Sequence, residues 1–225
     1  MKPIIGCLHA HYSNIGYIEQ ALSASEVELI HYVDPGLLSL FGSDSSFTVQ
    51  DAESKVIQQL EWIAKGSVDA ILITCTNYVA LLREERLSFN LPIIKIDEPF
   101  FGELCRNEKP QILLFTNPAT VEGTMARLRN YAESIGQRLE MEARVIPHTF
   151  ELIMQGKKER YMEVLTEYIR ETIQAEGGNR RLSVAQLSMV DAARKAGQES
   201  GGTFSIGDPL EPLAAYVEKK LAELK

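Results

Sequence analysis

Short apolar runs that stop abruptly in small polar residues recur along this chain, and helical patterns fill the stretches between them. "PIIGCLHA" (3–10), "VELIHYVD" (27–34), "DAILITC" (69–75) and "LPIIKID" (91–97) occupy the first half. "PQILLFT" (110–116), "MEARVIP" (141–147) and "RRLSVAQLSM" (180–189) occupy the second. A helix is expected near 15–24. Another is expected over 51–66, with Val56, Ile57, Leu60, Ile63 and Ala64 on one face and Gly66 at its C-cap. The segment 117–136 opens with Asn117 as N-cap and Pro118 at the first helical position. Its buried stripe is Val121, Met125, Leu128, Ala132 and Ile135. The segment 160–173 turns Tyr161, Val164, Leu165, Tyr168 and Ile169 inward, and "EGGN" (176–179) breaks it. Asp208-Pro209-Leu210-Glu211 has the form of an N-cap with Glu at N3, so a last helix is expected to run to about Leu224. Strands alternating with helices specify an α/β fold, with parallel sheets flanked by helices on both faces.

The plan is stated twice. Pro3 and Pro110 each introduce an apolar run, 107 positions apart (110 − 3). Cys75 and Gln186 each follow a strand that ends in small polar residues, 111 apart (186 − 75). The near-equal offsets point to two tandem lobes. The expected division is a first lobe of 1–98 plus the C-terminal helix 209–225, and a second lobe of 99–208.

Composition removes several function classes. With 225 residues and 45% hydrophobic content, the chain has enough apolar material for a large core. No apolar stretch approaches the roughly 18–20 residues that span a bilayer, and the N-terminus lacks a signal-peptide pattern, so the cytoplasm is the expected compartment. Three scattered cysteines fit neither a disulfide framework nor a paired-cysteine metal motif. A net charge of −8, with no long basic run, makes nucleic acid or an anionic membrane a poor partner. An anion site on such a chain has to be assembled locally, from backbone N–H groups and hydroxyls. No G-x-G-x-x-G follows the first strand and no P-loop motif occurs.

In open parallel sheets, ligands sit beyond the carboxyl ends of the strands. Four such ends are polar here: His9-Ala10-His11, Thr74-Cys75-Thr76-Asn77, the stretch from Thr116 through Asn117 to Thr120, and Gln186-Leu187-Ser188. Thr76, Asn77, Thr116 and Thr120 offer hydroxyl, amide and N–H donors of the kind that hold a carboxylate without Arg or Lys. Cys75 is the candidate reactive group. A thiol at a helix N-terminus is more acidic than a free one. A thiolate there can take a proton from a carbon beside a carboxyl group, with nearby donors stabilising the enediolate. Cys7, inside a strand, and Cys105, in a helix, are expected to be structural. His31 and His148 have no partners at metal-ligand spacing along the chain.

The segments "VDPGLL" (33–38), "VDAILITCTN" (68–77), "LPIIKIDEPF" (91–100), "ILLFTNPATVEGTMARL" (112–128), "VAQLSM" (184–189) and "SIGDPLEPLAAYV" (205–217) resemble the aspartate/glutamate/hydantoin racemase superfamily. The resemblance implies two pseudo-symmetric α/β lobes with the active site between them, and chemistry that needs neither pyridoxal phosphate, nor any other cofactor, nor a metal. It also implies one catalytic cysteine from each lobe. Cys75 matches the first. The second position falls on Gln186, with Ser188 two residues on. The expected assignment is therefore Cys75 as acid/base and Ser188 as the other catalytic group. His9, Thr76, Asn77, Thr116, Asn117, Thr120 and Gln186 are expected to bind a small carboxylate or amino acid, and a homodimer fits the superfamily. The alternatives are a one-cysteine decarboxylase or isomerase, a catalytically reduced member that binds an amino acid or small anion as a sensor, and nucleophilic hydrolysis with His9 or His11 as base.

Overall fold

A computed structural model describes residues 2–201 and 204–223. Contacts divide the chain into two compact units. One is made of residues up to Pro99 together with those from Pro212 onward, and the other runs Phe100–Glu211.

The first unit contains strands β1 (Ile4–His9), β2 (Glu28–Val33), β3 (Ala70–Ile73) and β4 (Ile93–Lys95). They form one parallel sheet in the order β2-β1-β3-β4. Its helices are α1 (Asn14–Ala21), α2 (Gly36–Ser43), α3 (Val49–Ala64) and α4 (Thr76–Leu81), with α5 (Asp97–Cys105) at the boundary and α10 (Leu213–Ala222) from the C-terminal segment. Side chains alternate across a strand. Leu8, on one face, packs with Val56, Leu60 and Ile63 of α3. Gly6 shares that face, and a Cβ there would lie 2.5 Å from Ile63 Cγ2. Cys7 and His9 therefore point to the opposite face. His31 of β2 is registered against Cys7 and points the same way. The C-terminal segment is tied in by hydrogen bonds from Ser25 to Glu218 and from Tyr216 to Glu98.

The second unit repeats the arrangement with β5 (Gln111–Phe115), β6 (Met141–Val145) and β7 (Arg181–Val184), parallel and in the order β6-β5-β7. Where β4 lies against β3, Gly207 makes an isolated parallel bridge to Ser183 of β7. Helices α6 (Val121–Ser134), α7 (Thr149–Met154), α8 (Lys158–Glu176) and α9 (Val190–Glu199) complete the unit. Ile112 and Leu114 bury against Tyr161, Leu165 and Ile169 of α8 and against α9. Leu113 and Phe115 bury against Phe100 and Leu104 of α5 and Met125 and Leu128 of α6. Helices on both faces explain why the central strand β5 is buried along its whole length instead of alternating, while the edge strand β6 carries Glu142 and Arg144.

Several sequence expectations shift. Helix α3 begins two residues before the expected Asp51, because Thr48 and Asp51 form a reciprocal capping box. Its C-cap is Lys65, not Gly66. Ile135 is 49% exposed, since α6 ends at Ser134 and leaves it past the last turn. The strand expected over 180–189 ends at Val184, and residues 187–189 form a 3₁₀ turn leading into α9. Asp208 does cap a turn, accepting from the Leu210 and Glu211 N–H groups, but the helix itself starts later, at Leu213. The expected terminal residue of that helix, Leu224, lies outside the described residues. Among the described residues, no helix is long and apolar enough to cross a membrane.

Candidate active site

The backbone places Cys75 and Gln186 at equivalent points of their own sheets. The Thr74 N–H donates to Leu8 O in the first unit, and the Ala185 N–H donates to Leu114 O in the second. Cys75 and Gln186 are the next residues in each case, each just past the carboxyl end of its strand.

In the first unit, Cys75 is the residue before α4. Its backbone is extended (φ −110°, ψ 119°), and its side chain makes no capping hydrogen bond. It is partly exposed, while Cys7 and Cys105 are buried. Burial pushes the Cys7 thiol up to about 12 and raises that of Cys105, which keeps both protonated. Thr76 and Asn77 begin α4 and are half-buried. Tyr78 of the same helix is fully buried and donates its hydroxyl proton to Asp34 O. Burial first, then the nearby Asp34 and Cys75, raise the Tyr78 pKa. Asp34 accepts from the Gly36 and Leu37 N–H groups and from Gln59 Nε2, and its own N–H donates to His9 O. Asp34 and Tyr78 were not singled out in the sequence; the carboxylate at the end of β2 in "VDPGLL" is the signal that could have found them.

His9 is fully buried. Thr74 Oγ1 gives its one proton to Leu8 O at 3.2 Å, so at 2.9 Å it accepts from His9 Nδ1. That fixes the His9 tautomer: Nε2 is bare and accepts, at 2.9 Å, from His31 Nδ1. The pKa of His9 falls to about 4, through burial and then the neighbouring His31, so the ring is neutral. With both ring nitrogens engaged, His9 makes no contact free for a substrate. His11 is exposed and bonds Ser13 Oγ.

The second unit carries no thiol at the matching place. Gln186 Oε1 instead accepts from Thr116 N at 2.7 Å, Thr116 Oγ1 at 2.7 Å and Asn117 N at 3.2 Å. The donors expected to hold a carboxylate are thus occupied by the chain's own carboxamide. Asn117 Oδ1 caps the following turn through Ala119 N, as expected, and Thr120 Oγ1 donates to Asn117 O. Ser188 Oγ lies 2.9 Å from Tyr161 Oη, which donates more weakly to Thr116 Oγ1 at 3.5 Å. Because Thr116 spends its proton on Gln186, the chain runs from Ser188 through Tyr161 and Thr116 to Gln186. Ser188 is thereby a donor inward and an acceptor outward. Tyr161 belongs to the core, as the helical stripe indicates, yet its hydroxyl organises this strand end. A stripe pattern cannot show where a phenol oxygen reaches.

No family model and no curated protein matches the chain by sequence. Comparison with solved structures does find relatives in shape. An aspartate racemase from Picrophilus torridus superposes with a TM-score of 0.67 at 13% identity, over 98% of this chain and 94% of that one. A glutamate racemase from Bacillus anthracis gives 0.68 at 16% identity, over 100% and 84%. An allantoin racemase from Klebsiella pneumoniae gives 0.63 at 17% identity, over 98% and 88%. This chain has the racemase fold. The expected α/β class with two lobes, each a parallel sheet flanked by helices, agrees with these neighbours along nearly the whole sequence.

Proposed function

We propose that the protein is a cofactor-independent racemase- or isomerase-like enzyme that moves a proton at the carbon beside the carboxyl or carbonyl group of a small substrate, with Cys75 as acid/base. The observation that carries this reading is the placement of Cys75. In a fold shared with aspartate, glutamate and allantoin racemases, it is the partly exposed cysteine of the three, and it stands just past the carboxyl end of β3. Thr76 and Asn77, which begin the next helix, supply hydroxyl, amide and N–H donors to the acid group. Stabilising the developing enediolate is the larger part of such catalysis, and donors already in place do it without reorganising. The matching position of the second lobe is Gln186, which cannot exchange protons, so the exchange is one-sided.

A second reading is favoured by Gln186 itself. A lobe whose anion donors are filled by its own side chain suits a catalytically reduced member that binds an amino acid as a sensor.

Incubation in heavy water with aspartate, glutamate, small malonates and hydantoins separates the two. The enzyme places deuterium on the carbon beside the carbonyl, and Cys75→Ser abolishes this. Thermal stabilisation by one of these compounds without any deuterium uptake supports the sensor and overturns the enzyme.

A further inference from the structure

On the face of the first sheet that turns away from α3, Cys7 Sγ and a ring nitrogen of each of His9 and His31 lie within 4.8 Å of one another. The three residues are 2 and 22 positions apart along the chain. Parallel pairing brings them together, because His31 is registered against Cys7 and His9 follows Cys7 on the same face. We infer that these three side chains form a binding site for a zinc-type, borderline-soft divalent cation, one that does not use the Cys75 thiol.

The hydrogen bonds around the cluster support this. A metal-ligating histidine presents one bare nitrogen to the ion and commits its other N–H to an acceptor that fixes the ring. His9 already has that form, with Nδ1–H given to Thr74 Oγ1 and Nε2 bare. His31 reaches it by a change of tautomer. At present its Nδ1–H is spent on His9 Nε2, and its Nε2 is buried with no hydrogen-bond partner, 3.8 Å from Glu19 Oε1. Moving the proton to Nε2 frees Nδ1 for the ion and supplies the buried orphan with a carboxylate. The two nitrogens that would bind the ion are 2.9 Å apart. Zinc bond lengths of about 2.0–2.1 Å to nitrogen and 2.3 Å to sulfur set ligand separations of roughly 3.3–3.8 Å, so side-chain shifts of under about 1 Å close the site. The proton balance is simple. Cys7 loses its thiol proton to solvent, the His31 proton moves from Nδ1 to Nε2, and nothing is oxidised or reduced. One proton is released per ion bound.

The test is a titration of chelator-treated full-length protein with Zn²⁺, and with Co²⁺ as a reporter. The expected result is one Co²⁺ per chain, with a thiolate-to-cobalt charge-transfer band and one proton released into weak buffer. Cys7→Ser removes the band and Cys75→Ser keeps it. His31→Gln, on the rim of the cluster, weakens binding at least tenfold and remains informative if Cys7→Ser does not fold. Glu19→Gln weakens binding by a smaller factor. Absence of the band at millimolar Co²⁺, its loss in Cys75→Ser with retention in Cys7→Ser, or unchanged affinity in His31→Gln overturns the site. None of these readouts depends on turnover, so the failure of the enzyme reading and the failure of this site are separable.

Discussion

Acidification should destabilise this protein well above the pH at which carboxylates titrate, and the cause is His9. The folded ring is neutral, because burial and His31 depress its pKa to about 4 from an ordinary 6.5. Between those values the unfolded chain binds a proton that the folded chain does not, so stability rises with pH across the window and falls as the solution is made more acid. At about pH 4.5, two of the 2.5 pH units have been traversed. At about 1.36 kcal/mol per unit this amounts to about 2.7 kcal/mol, reduced to about 2 kcal/mol because His31 shares the proton and the surroundings relax. The pKa of His31 is itself lowered by burial, against the pull of Glu19, and adds in the same direction. The assay is urea unfolding followed by circular dichroism at about pH 7, 5.5 and 4.5, on the wild type and on His9→Gln. The wild type should lose about 2 kcal/mol across the range. His9→Gln should be less stable at pH 7 and should keep only the smaller slope that His31 contributes in the same window. An equal pH slope in both proteins would show that the buried imidazole is not the titrating group and would refute the reasoning.

Other substitutions test other parts of the account. Gln186→Ala deletes the acceptor for three donors of the second lobe and should cost about 2 kcal/mol, measured as the shift in chemical denaturation; Gln186→Glu keeps the acceptor oxygens and should stay within about 1 kcal/mol of wild type at neutral pH. Tyr161→Phe leaves the packing in place but removes the hydroxyl between Ser188 and Thr116, a loss of about 1 kcal/mol. Gly6→Ala drives a methyl to 2.5 Å from Ile63 Cγ2 in a closed core and should lower stability by about 1–3 kcal/mol, seen as a lower melting temperature.

The sequence showed the strands more clearly than the helix ends. A strand enclosed by helices on both sides is buried along its length, as β3 and β5 are, and each of the seven strands among the described residues falls within one of the expected runs. Short helices such as α2 and α4, at 8 and 6 residues, span too few turns to display a periodicity, and the strand expected over 180–189 took in the 3₁₀ turn of residues 187–189 that leads into α9. The site was legible in its positions but not in its bonding. Cys75 and Gln186 stood out because both end an apolar run. That the Gln186 carboxamide would fill its own lobe's donors depends on a side chain reaching across to the end of the neighbouring strand, 70 residues away in sequence. His31 lacked a ligand partner at any local spacing for the same reason. Parallel pairing makes neighbours of residues that no window along the chain can connect.

The first lobe is closed by residues that follow the second. Its final helix, α10, lies more than a hundred residues beyond Pro99, while residues 100–211 form the other unit in one unbroken stretch. During synthesis the later-encoded lobe therefore has all of its parts before the earlier one does. Until α10 emerges from the ribosome, the amino-terminal lobe has to wait with Ser25 and Glu98 lacking their partners Glu218 and Tyr216. A chain truncated before Leu213 should leave the amino-terminal lobe protease-sensitive while the inserted lobe survives digestion.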